Sequence, residues 1–385
     1  MNRLFAEQPV TIFEHVSGLA REHDAVNLGQ GFPDFGWPED VIARAADALI
    51  SASNQYPSMR GLPELREAVC NHYRVHQGLE LDVGQVTVTS GGTEALTAAI
   101  IGLIEPGDEV LLFEPLYDSY LPIVRQCGGI ARIARLEPPG WRVTQALIDA
   151  SFSDRTKLVI FNNPHNPTGR HFDEAELALL AAACVRHDVI ALVDEVWEHL
   201  LFDGRRHRPL SSLPGMAERT VKVGSAGKIF SVTGWKVGWM VAPEPLSAAI
   251  ARAHQFITFT TPPNLQSGVA YGLGKGQAYF DDMRTQFAAA RERLAAGLNE
   301  AGFVTLPSEA TYFLCVDLAA SGIAADDLDF CERAVREAGV AAIPLSAFYD
   351  QEPVRHIIRL CFAKREETLA AGIERLRAAR QLFAR

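Results

Sequence analysis

"QVTVTSGGTEALTAAIIGLIEPGDEVLLFEP", residues 85–115, is the stretch from which the fold follows. Residues 85–90 are rich in β-branched side chains and predict a strand, which the pair Gly91-Gly92 ends. The run "TEALTAAIIGLI" then predicts a helix, and "GDEVLLFEP" predicts a second strand. A strand, a helix and another strand in this order form the repeating unit of a parallel sheet.

The same alternation continues through the middle of the chain. Three further apolar runs end in small or polar residues and predict strands, at 156–164, 188–195 and 220–227. Helical patterns such as "DEAELALLAAACVRHD" lie between them. We therefore expect an α/β fold in which a mostly parallel central sheet is flanked by helices. Sheets of this kind bind ligands beyond the carboxyl ends of their strands, which is where the polar motifs of this region occur.

The pattern changes near Gln277, where a long amphipathic helix begins and leads into shorter strand and helix candidates. This change predicts a large domain and a smaller α/β domain. We place the boundaries at 1–42 for an N-terminal segment that packs with the small domain, 43–276 for the large domain and 277–385 for the small domain.

Composition narrows the class of protein. The 385 residues carry a formal net charge of −11, which argues against a nucleic acid or an anionic membrane as partner. The longest apolar stretch is too short to span a membrane. The six cysteines form no C-x-x-C pair, which indicates neither a metal site nor a disulfide framework and is typical of a reducing compartment. Since the first residues do not resemble a signal peptide, we expect a cytoplasmic protein.

Three features of the large domain point to one chemistry. The turn at Gly92 and Thr93 opens a helix, and helix N-termini bind phosphate, although such a turn can also be purely structural. Asp194 ends a predicted strand, where a carboxylate either caps a turn or faces a cation. Lys228 lies in "GSAGKIFSVTGWKVGW", residues 224–239, whose small residues favour neither helix nor strand. A lysine for an aldehyde, an acid for a ring nitrogen and a phosphate site together fit pyridoxal phosphate.

The chain resembles the class I aminotransferases of fold type I, in particular the branch of kynurenine and bacterial methionine aminotransferases. The motifs that carry the resemblance occur in the same order and spacing: "LGQGFPDF", "SGGTEAL", "NNPHNPTG", "VDEV", "GSAGKIFSVTGWKVGW" and "IIRLCFAK". The resemblance covers nearly the whole chain. It implies the fold of a fold type I pyridoxal-phosphate transferase, a homodimer with shared active sites, and amino acid and 2-oxo acid substrates.

The resemblance also implies roles for residues that hold the cofactor. Lys228 matches the lysine that forms the Schiff base and moves the proton, and Asp194 matches the acid that pairs with the pyridine nitrogen. Asn166 matches the asparagine that bonds the phenolic oxygen, and Tyr117, in "EPLYDSY", matches the tyrosine that stacks on the ring. The phosphate contacts would come from Gly92, Thr93, Ser225, Lys236 and the partner subunit's Tyr56.

On the substrate side, Arg359 matches the arginine that binds the α-carboxylate, close to Gly31 and Asn166. Phe13 and the partner subunit's Phe259 match residues that line the side-chain pocket.

Trp197 departs from the family pattern, which has tyrosine here. Its indole either donates to the phenolic oxygen or turns away and leaves that oxygen to Asn166. We expect no catalytic role for His165 and no metal.

Several activities fit these residues. The leading prediction is a ping-pong aminotransferase acting on apolar, thioether, aromatic or glutamine-like amino acids. A β-lyase acting on cysteine conjugates could use the same site. A non-catalytic regulator that binds the cofactor is a more distant alternative, since such proteins carry a basic DNA-binding extension, which this acidic chain lacks before Gly31.

Overall fold

The structure is a computed structural model that describes residues 1–6 and 8–383. Its strands are β1 (Val26–Asn27), β2 (Val86–Ser90), β3 (Glu109–Glu114), β4 (Ile130–Arg135), β5 (Thr156–Asn162), β6 (Ile190–Asp194), β7 (Thr220–Ser225), β8 (Val237–Val241), β9 (Val304–Thr305), β10 (Phe313–Asp317), β11 (Val340–Ala341), β12 (Ile343–Pro344) and β13 (Ile357–Cys361). Its α-helices are α1 (Arg3–Ala6), α2 (Ile12–Glu22), α3 (Glu39–Ser51), α4 (Pro63–Gln77), α5 (Gly91–Leu103), α6 (Tyr120–Gln126), α7 (Gln145–Ser151), α8 (Glu174–Arg186), α9 (Ala226–Ile229), α10 (Leu246–Gln255), α11 (Pro263–Leu273), α12 (Gln277–Glu300), α13 (Asp327–Ala338) and α14 (Glu366–Gln381).

Seven strands form the central sheet, in the order β2-β8-β7-β6-β5-β3-β4. From β7 to β4 all neighbours run parallel, whereas β8 is antiparallel to both β2 and β7. The predicted α/β fold with a mostly parallel sheet is confirmed. Strands β5, β6 and β7 are buried along almost their whole length because helices cover both faces. Strand β4 lies at the sheet edge and alternates in exposure, so its apolar signal is weak.

The segment 224–239 is more regular than its composition suggests. It contains the end of β7, helix α9 and the start of β8. The small residues serve close packing: a Cβ on Gly224 would lie 2.4 Å from the indole nitrogen of Trp239. A Cβ on Gly238 would lie 2.6 Å from the carbonyl carbon of Gly91. Tertiary packing, rather than local propensity, therefore fixes the course of this segment.

Helix α5 begins directly after β2, at Gly91. This residue has a φ of +75°, a left-handed conformation that glycine adopts without strain. The chain therefore turns from strand to helix within one residue. The N-terminus of α5 consequently lies at the edge of the sheet where the parallel strands end.

The C-terminal region forms a second, antiparallel sheet in the order β12-β13-β10-β9. Helices α12 and α13 both pack against α14. Near the N-terminus, β1 pairs in parallel with β11, so that Val26 lies opposite Val340. Arg359 lies in the middle of β13, opposite Cys315 and Ile343. The N-terminal segment thus contacts the C-terminal region through backbone hydrogen bonds.

Among the helices described, none combines the length and the apolar character that a membrane crossing requires.

Candidate active site

A cavity of about 200 Å³ opens where the parallel strands of the central sheet end. Nine residues predicted to bind the cofactor line it: Gly92, Thr93, Tyr117, Asn166, Asp194, Trp197, Ser225, Lys228 and Lys236. They follow the ends of β2, β3, β5, β6 and β7 or precede β8. Residues far apart in the sequence are thus brought together by the parallel order of the strands.

Lys228 lies in α9, directly after β7, and lines the cavity. Its Nζ donates a hydrogen bond of 3.2 Å to the hydroxyl of Tyr312 and lies 4.7 Å from the centre of the Trp197 ring. Burial lowers the pKa of the amine to about 8, although the carboxylate of Asp194 favours the charged form. An amine with this pKa is partly neutral near physiological pH and can serve as a nucleophile or a base.

Asp194 ends β6, and its buried carboxylate lies at the cavity wall. It accepts a hydrogen bond of 2.7 Å from the Tyr120 hydroxyl and one of 3.4 Å from the backbone N–H of Val196. Burial raises the pKa of Asp194, and these two bonds oppose the shift. Asn162 Nδ2 also donates to the Asp194 carbonyl at 2.8 Å, which holds the backbone. A buried carboxylate bonded by neutral donors is suited to receive a cationic group of a ligand.

A candidate anion site lies at the N-terminus of α5. The N–H groups of Gly92 and Thr93 belong to the first helical turn, where no intrahelical acceptor exists. Lys236 has a φ of +54°, and its Nζ lies 3.4 Å from where a Cβ on Gly91 would be. Ser225, the last residue of β7, lines the same cavity. The positive end of a helix beside an ammonium group forms a site for phosphate.

Arg359 is 1% exposed and makes two hydrogen bonds. Its Nη1 donates to Asn166 Oδ1 at 2.8 Å, and its Nη2 donates to the Gly29 carbonyl at 3.1 Å. Its Nε is buried and has no hydrogen-bond partner among the residues that the structure describes. Burial lowers the pKa of the guanidinium to about 10, so it remains charged at neutral pH. A buried cation with an unused donor is costly unless it binds an anion.

Aromatic rings surround this guanidinium. Its carbon lies 3.9 Å from the ring centre of Phe313, 5.0 Å from that of Phe348 and 5.3 Å from that of Phe13. Gly31 contacts the same Phe313 ring, since a Cβ on Gly31 would lie 2.9 Å from it. The structure therefore brings Phe13 close to Arg359, with Gly31 against the Phe313 ring.

Trp197 is 3% exposed, and its indole lines the cavity. It meets the Tyr312 ring edge to face, with centroids 4.4 Å apart. The centre of its ring lies 4.7 Å from Lys228 Nζ. Tyr117 also lines the cavity, and burial raises the pKa of its hydroxyl.

Tyr56 and Phe259 lie outside the cavity of their own chain. Tyr56 is 83% exposed, Phe259 is 40% exposed, and their ring centres are 5.7 Å apart. Phe256, on the same segment as Phe259, is 84% exposed. Adjacent exposed aromatic rings are typical of a surface that contacts another protein.

A buried ionic network of Lys222, Glu195 and Glu198 lies next to the cavity. The segment 194–199 directs Glu195 and Glu198 away from the cavity, and both accept hydrogen bonds from Lys222 Nζ, at 2.8 Å for Glu198. All three side chains are buried. Although burial disfavours the charged form, Lys222 helps to hold the pKa of Glu195 at about 2. The network therefore anchors the segment that carries Trp197.

His165 is buried beside the site. Its Nδ1 pairs with Thr168 Oγ1 at 2.8 Å, and burial lowers the pKa of the imidazole to about 3. It is therefore neutral at physiological pH and engaged in its own turn.

Three residues of the site are absent from the sequence-based predictions: Tyr120, Asn162 and Tyr312. The first two lie within quoted motifs, "EPLYDSY" and "NNPHNPTG", where a polar side chain beside a buried strand is a usable signal. Tyr312 lies in "EATYFLC", far from the other motifs, and its position depends on contacts between distant parts of the chain.

Comparisons with known proteins show the family to which this chain belongs. The family model described as aminotransferase class I and II matches residues 23–376. Methionine aminotransferase of Escherichia coli (strain K12) is 43% identical over 368 residues, which cover 95% of each chain. Human kynurenine–oxoglutarate transaminase 1 is 35% identical over 394 residues, which cover 93% of each chain. The crystal structure of E. coli YbdL, which identifies a methionine aminotransferase function, has a TM-score of 0.94 at 41% identity and covers 98% of this chain and 99% of its own.

A different specificity occurs at nearly the same similarity. The probable N-succinyldiaminopimelate aminotransferase of Mycobacterium tuberculosis is 42% identical over 378 residues, which cover 95% of each chain. This chain belongs to the class I and II aminotransferases and is an enzyme that transfers amino groups. The expected fold type I architecture is thereby confirmed.

Proposed function

We propose that this enzyme uses pyridoxal phosphate to move the amino group of an apolar or thioether amino acid, such as methionine, to a 2-oxo acid. The observation that carries the proposal is the placement of Lys228, Asp194 and the anion site around one cavity. Each could have another role by itself, but together they match the aldehyde, the ring nitrogen and the phosphate of this cofactor. The transfer is proposed to follow a ping-pong order, in which amino acid and oxo acid use the same pocket in turn.

The residues of the cavity suit the cofactor part by part. The phosphate would bind the N-terminus of α5 together with Ser225 and Lys236, and the ring nitrogen would pair with Asp194. Tyr117 would cover the ring, and Asn166, with or without Trp197, would bond the phenolic oxygen. When bound, the cofactor withdraws electrons from the substrate Cα and so weakens its C–H bond.

The proton of that C–H bond is assigned to Lys228. Because burial lowers the pKa of its amine to about 8, a fraction of the amine is neutral near pH 7 and can act as a base. Its four-carbon stem lets the amine move between the two atoms that lose and gain the proton. Asp194, held by Tyr120, would present its charge to the ring nitrogen.

The substrate carboxylate is proposed to bind Arg359. The unused Nε and the remaining N–H groups of Nη1 and Nη2 would supply donors. The hydrogen bond to Asn166 fixes the plane of the guanidinium group. The rings of Phe13 and Phe348 are 5.8 Å apart beside it and favour an apolar, thioether or aromatic side chain. Among the relatives, the names that specify methionine and kynurenine agree with such a pocket.

A homodimer is proposed to complete each site. In this proposal, the partner subunit's Tyr56 reaches the phosphate and the partner subunit's Phe259 lines the side-chain pocket. The exposure of both rings on the isolated chain supports this assignment. A partner surface would remove them from water.

The first test is a half-reaction with methionine alone. We expect the protein loaded with pyridoxal phosphate to release one equivalent of oxo acid per subunit, with a matching change in its visible absorbance. Aspartate should have a kcat/KM at least about tenfold lower, because its second carboxylate would be desolvated among aromatic rings. The oxo acid and the absorbance are measured together.

A cysteine conjugate without any oxo acid serves as the control for this test. Pyruvate release from the conjugate, with no oxo acid formed from methionine, would point to a β-lyase and contradict the proposal. A faster reaction with aspartate would contradict the proposed substrate class.

Shared sites are tested by subunit complementation. A Lys228→Ala chain and a Tyr56→Ala chain are each expected to be inactive or strongly impaired as homodimers. Co-expressed, they should recover about a quarter of the wild-type activity, since random pairing makes half of the dimers mixed and each mixed dimer has one intact site. Activity no greater than the mean of the two parent proteins would show that each chain builds its own site.

A further inference from the structure

Tyr312 connects the catalytic lysine to the segment that approaches the substrate. The side chain is fully buried. Its hydroxyl accepts a hydrogen bond of 3.2 Å from Lys228 Nζ and donates one of 2.6 Å to the carbonyl oxygen of Gly31. No other hydroxyl bonds Lys228 Nζ in the part of the chain that the structure describes.

The direction of these two bonds has a chemical consequence. A tyrosine hydroxyl has one proton, and here that proton is directed at Gly31. The hydroxyl therefore faces Lys228 only as an acceptor. A neutral amine that gives one N–H to Tyr312 keeps its lone pair free, at a tetrahedral angle to that N–H.

The geometry points to Tyr312 as a positioning residue: we propose that, once the amine of Lys228 has left the cofactor, Tyr312 orients it with its lone pair directed at the substrate Cα for the first proton transfer. The proposal rests on the proposed function, because it requires that Lys228 removes the Cα proton. Without the bond from Tyr312 to Gly31, the hydroxyl could rotate and donate to the lone pair, which would block the base.

The surroundings of Tyr312 keep it in place. Its ring packs edge to face against Trp197, with centroids 4.4 Å apart, and against Phe313 at 5.0 Å. Its backbone carbonyl accepts a bond of 3.0 Å from the N–H of Phe362. Gly31 is equally constrained, because a Cβ there would collide with the ring of Phe313. The Lys228 amine, the Tyr312 hydroxyl and the Gly31 carbonyl are therefore linked by two hydrogen bonds, which together form a hydrogen-bond relay.

The test replaces the hydroxyl and measures the amine directly. In Tyr312→Phe, Lys228 loses an acceptor that favours its charged form, so the pKa of the amine should fall by about one unit below its value near 8. Acetic anhydride labelling of Lys228 across pH, quantified by peptide mass spectrometry, reports this midpoint. It is measured on the full-length protein loaded with pyridoxamine phosphate, in which Lys228 has no bond to the cofactor, and repeated on the cofactor-free protein.

Kinetics supply the second readout. We expect kcat for methionine to fall about 10- to 100-fold with KM changed by less than about twofold, since the base is misplaced but Arg359 is intact. Tyr349→Phe is the matched control, because it removes another buried tyrosine hydroxyl that has no partner among the described residues. An unchanged labelling midpoint and an unchanged kcat in Tyr312→Phe would overturn the proposal.

Two further arms separate the possible causes of a negative result. Replacing Tyr312 by 3-fluorotyrosine keeps the ring and hydroxyl but weakens the acceptor, so a smaller shift in the same direction is expected even if Tyr312→Phe folds poorly. If the wild-type protein does not transaminate while the labelling midpoint still shifts, the proposed function fails and the hydrogen-bond relay stands. If both variants label like the wild type while the wild type transaminates, only the role of Tyr312 fails.

Discussion

Replacing Lys228 with alanine is expected to lower kcat with methionine by at least about 10⁴-fold. In the proposed mechanism the variant loses the group that bonds the cofactor aldehyde and the base that moves the Cα proton, and acid–base catalysis alone contributes about 10²- to 10⁴-fold. The N-terminus of α5 and Lys236 should still retain part of the cofactor through its phosphate. The measurements are steady-state kinetics and cofactor content after gel filtration.

The loss should not come from unfolding. Burial lowers the pKa of the Lys228 amine from 10.5 to about 8, so the folded protein disfavours the charged form. The buried ammonium therefore costs stability below pH 8, and this cost fades as pH rises from 8 to 10.5. Alanine removes the cost at neutral pH, and the cofactor-free variant should melt no lower than the cofactor-free wild type beyond the effect of lost packing.

Lys157→Ala is the matched control for this variant, because Lys157 is an exposed lysine on the sheet. It should keep full activity. A small primary amine such as methylamine should restore part of the activity of Lys228→Ala, since it can serve as an external base. Activity above about one percent of wild type without added amine would exclude Lys228 as the catalytic lysine.

Replacing Arg359 with alanine should raise KM for every amino acid and every oxo acid, since all of them carry the carboxylate that it is proposed to bind. Losing one partner of a buried, hydrogen-bonded charge pair costs about 3 kcal/mol, which corresponds to a loss of about 150-fold in kcat/KM. Arg359→Lys should recover only part of this loss, because an ammonium group keeps the charge but not the two-point fork. The kcat/KM of all three proteins is compared for methionine and its oxo acid.

Methioninol, which lacks the carboxylate, is the substrate control for this comparison. Its kcat/KM should be low with all three proteins and should differ little from one protein to the next. Arg355→Ala, an exposed arginine four residues earlier, should behave like the wild type. If methionine and methioninol lose the same factor in Arg359→Ala, Arg359 stabilises the fold rather than the carboxylate.

Much of this arrangement follows from local sequence. The strands β5, β6 and β7 are predictable because both faces are buried and their side chains form continuous apolar runs. Lys228 and Asp194 are predictable because their chemistry is unusual at a strand end, and parallel strands bring their carboxyl ends together. The long helix α12 is predicted from its amphipathic pattern and differs from the prediction only at its ends.

What sequence analysis missed depends on contacts between distant residues. Lys222 alternates with apolar residues in β7 and gives no sign that it is buried with two carboxylates contributed by the segment after β6. Strand β8 contains apolar residues that fit either direction, and its antiparallel course is set by its pairing with β2 and β7. Tyr312 acquires its role only because a turn of the C-terminal region meets both Gly31 and Lys228.

The unused Nε of Arg359 also affects how this enzyme has to be handled. A buried cation with a free donor attracts any small carboxylate that the solution supplies. If Arg359 binds the substrate carboxylate as proposed, acetate, citrate and similar buffer components are expected to compete with the substrate. Every apparent KM then depends on the concentration of these carboxylates. Values measured in different buffers can be compared only after correction for this competition.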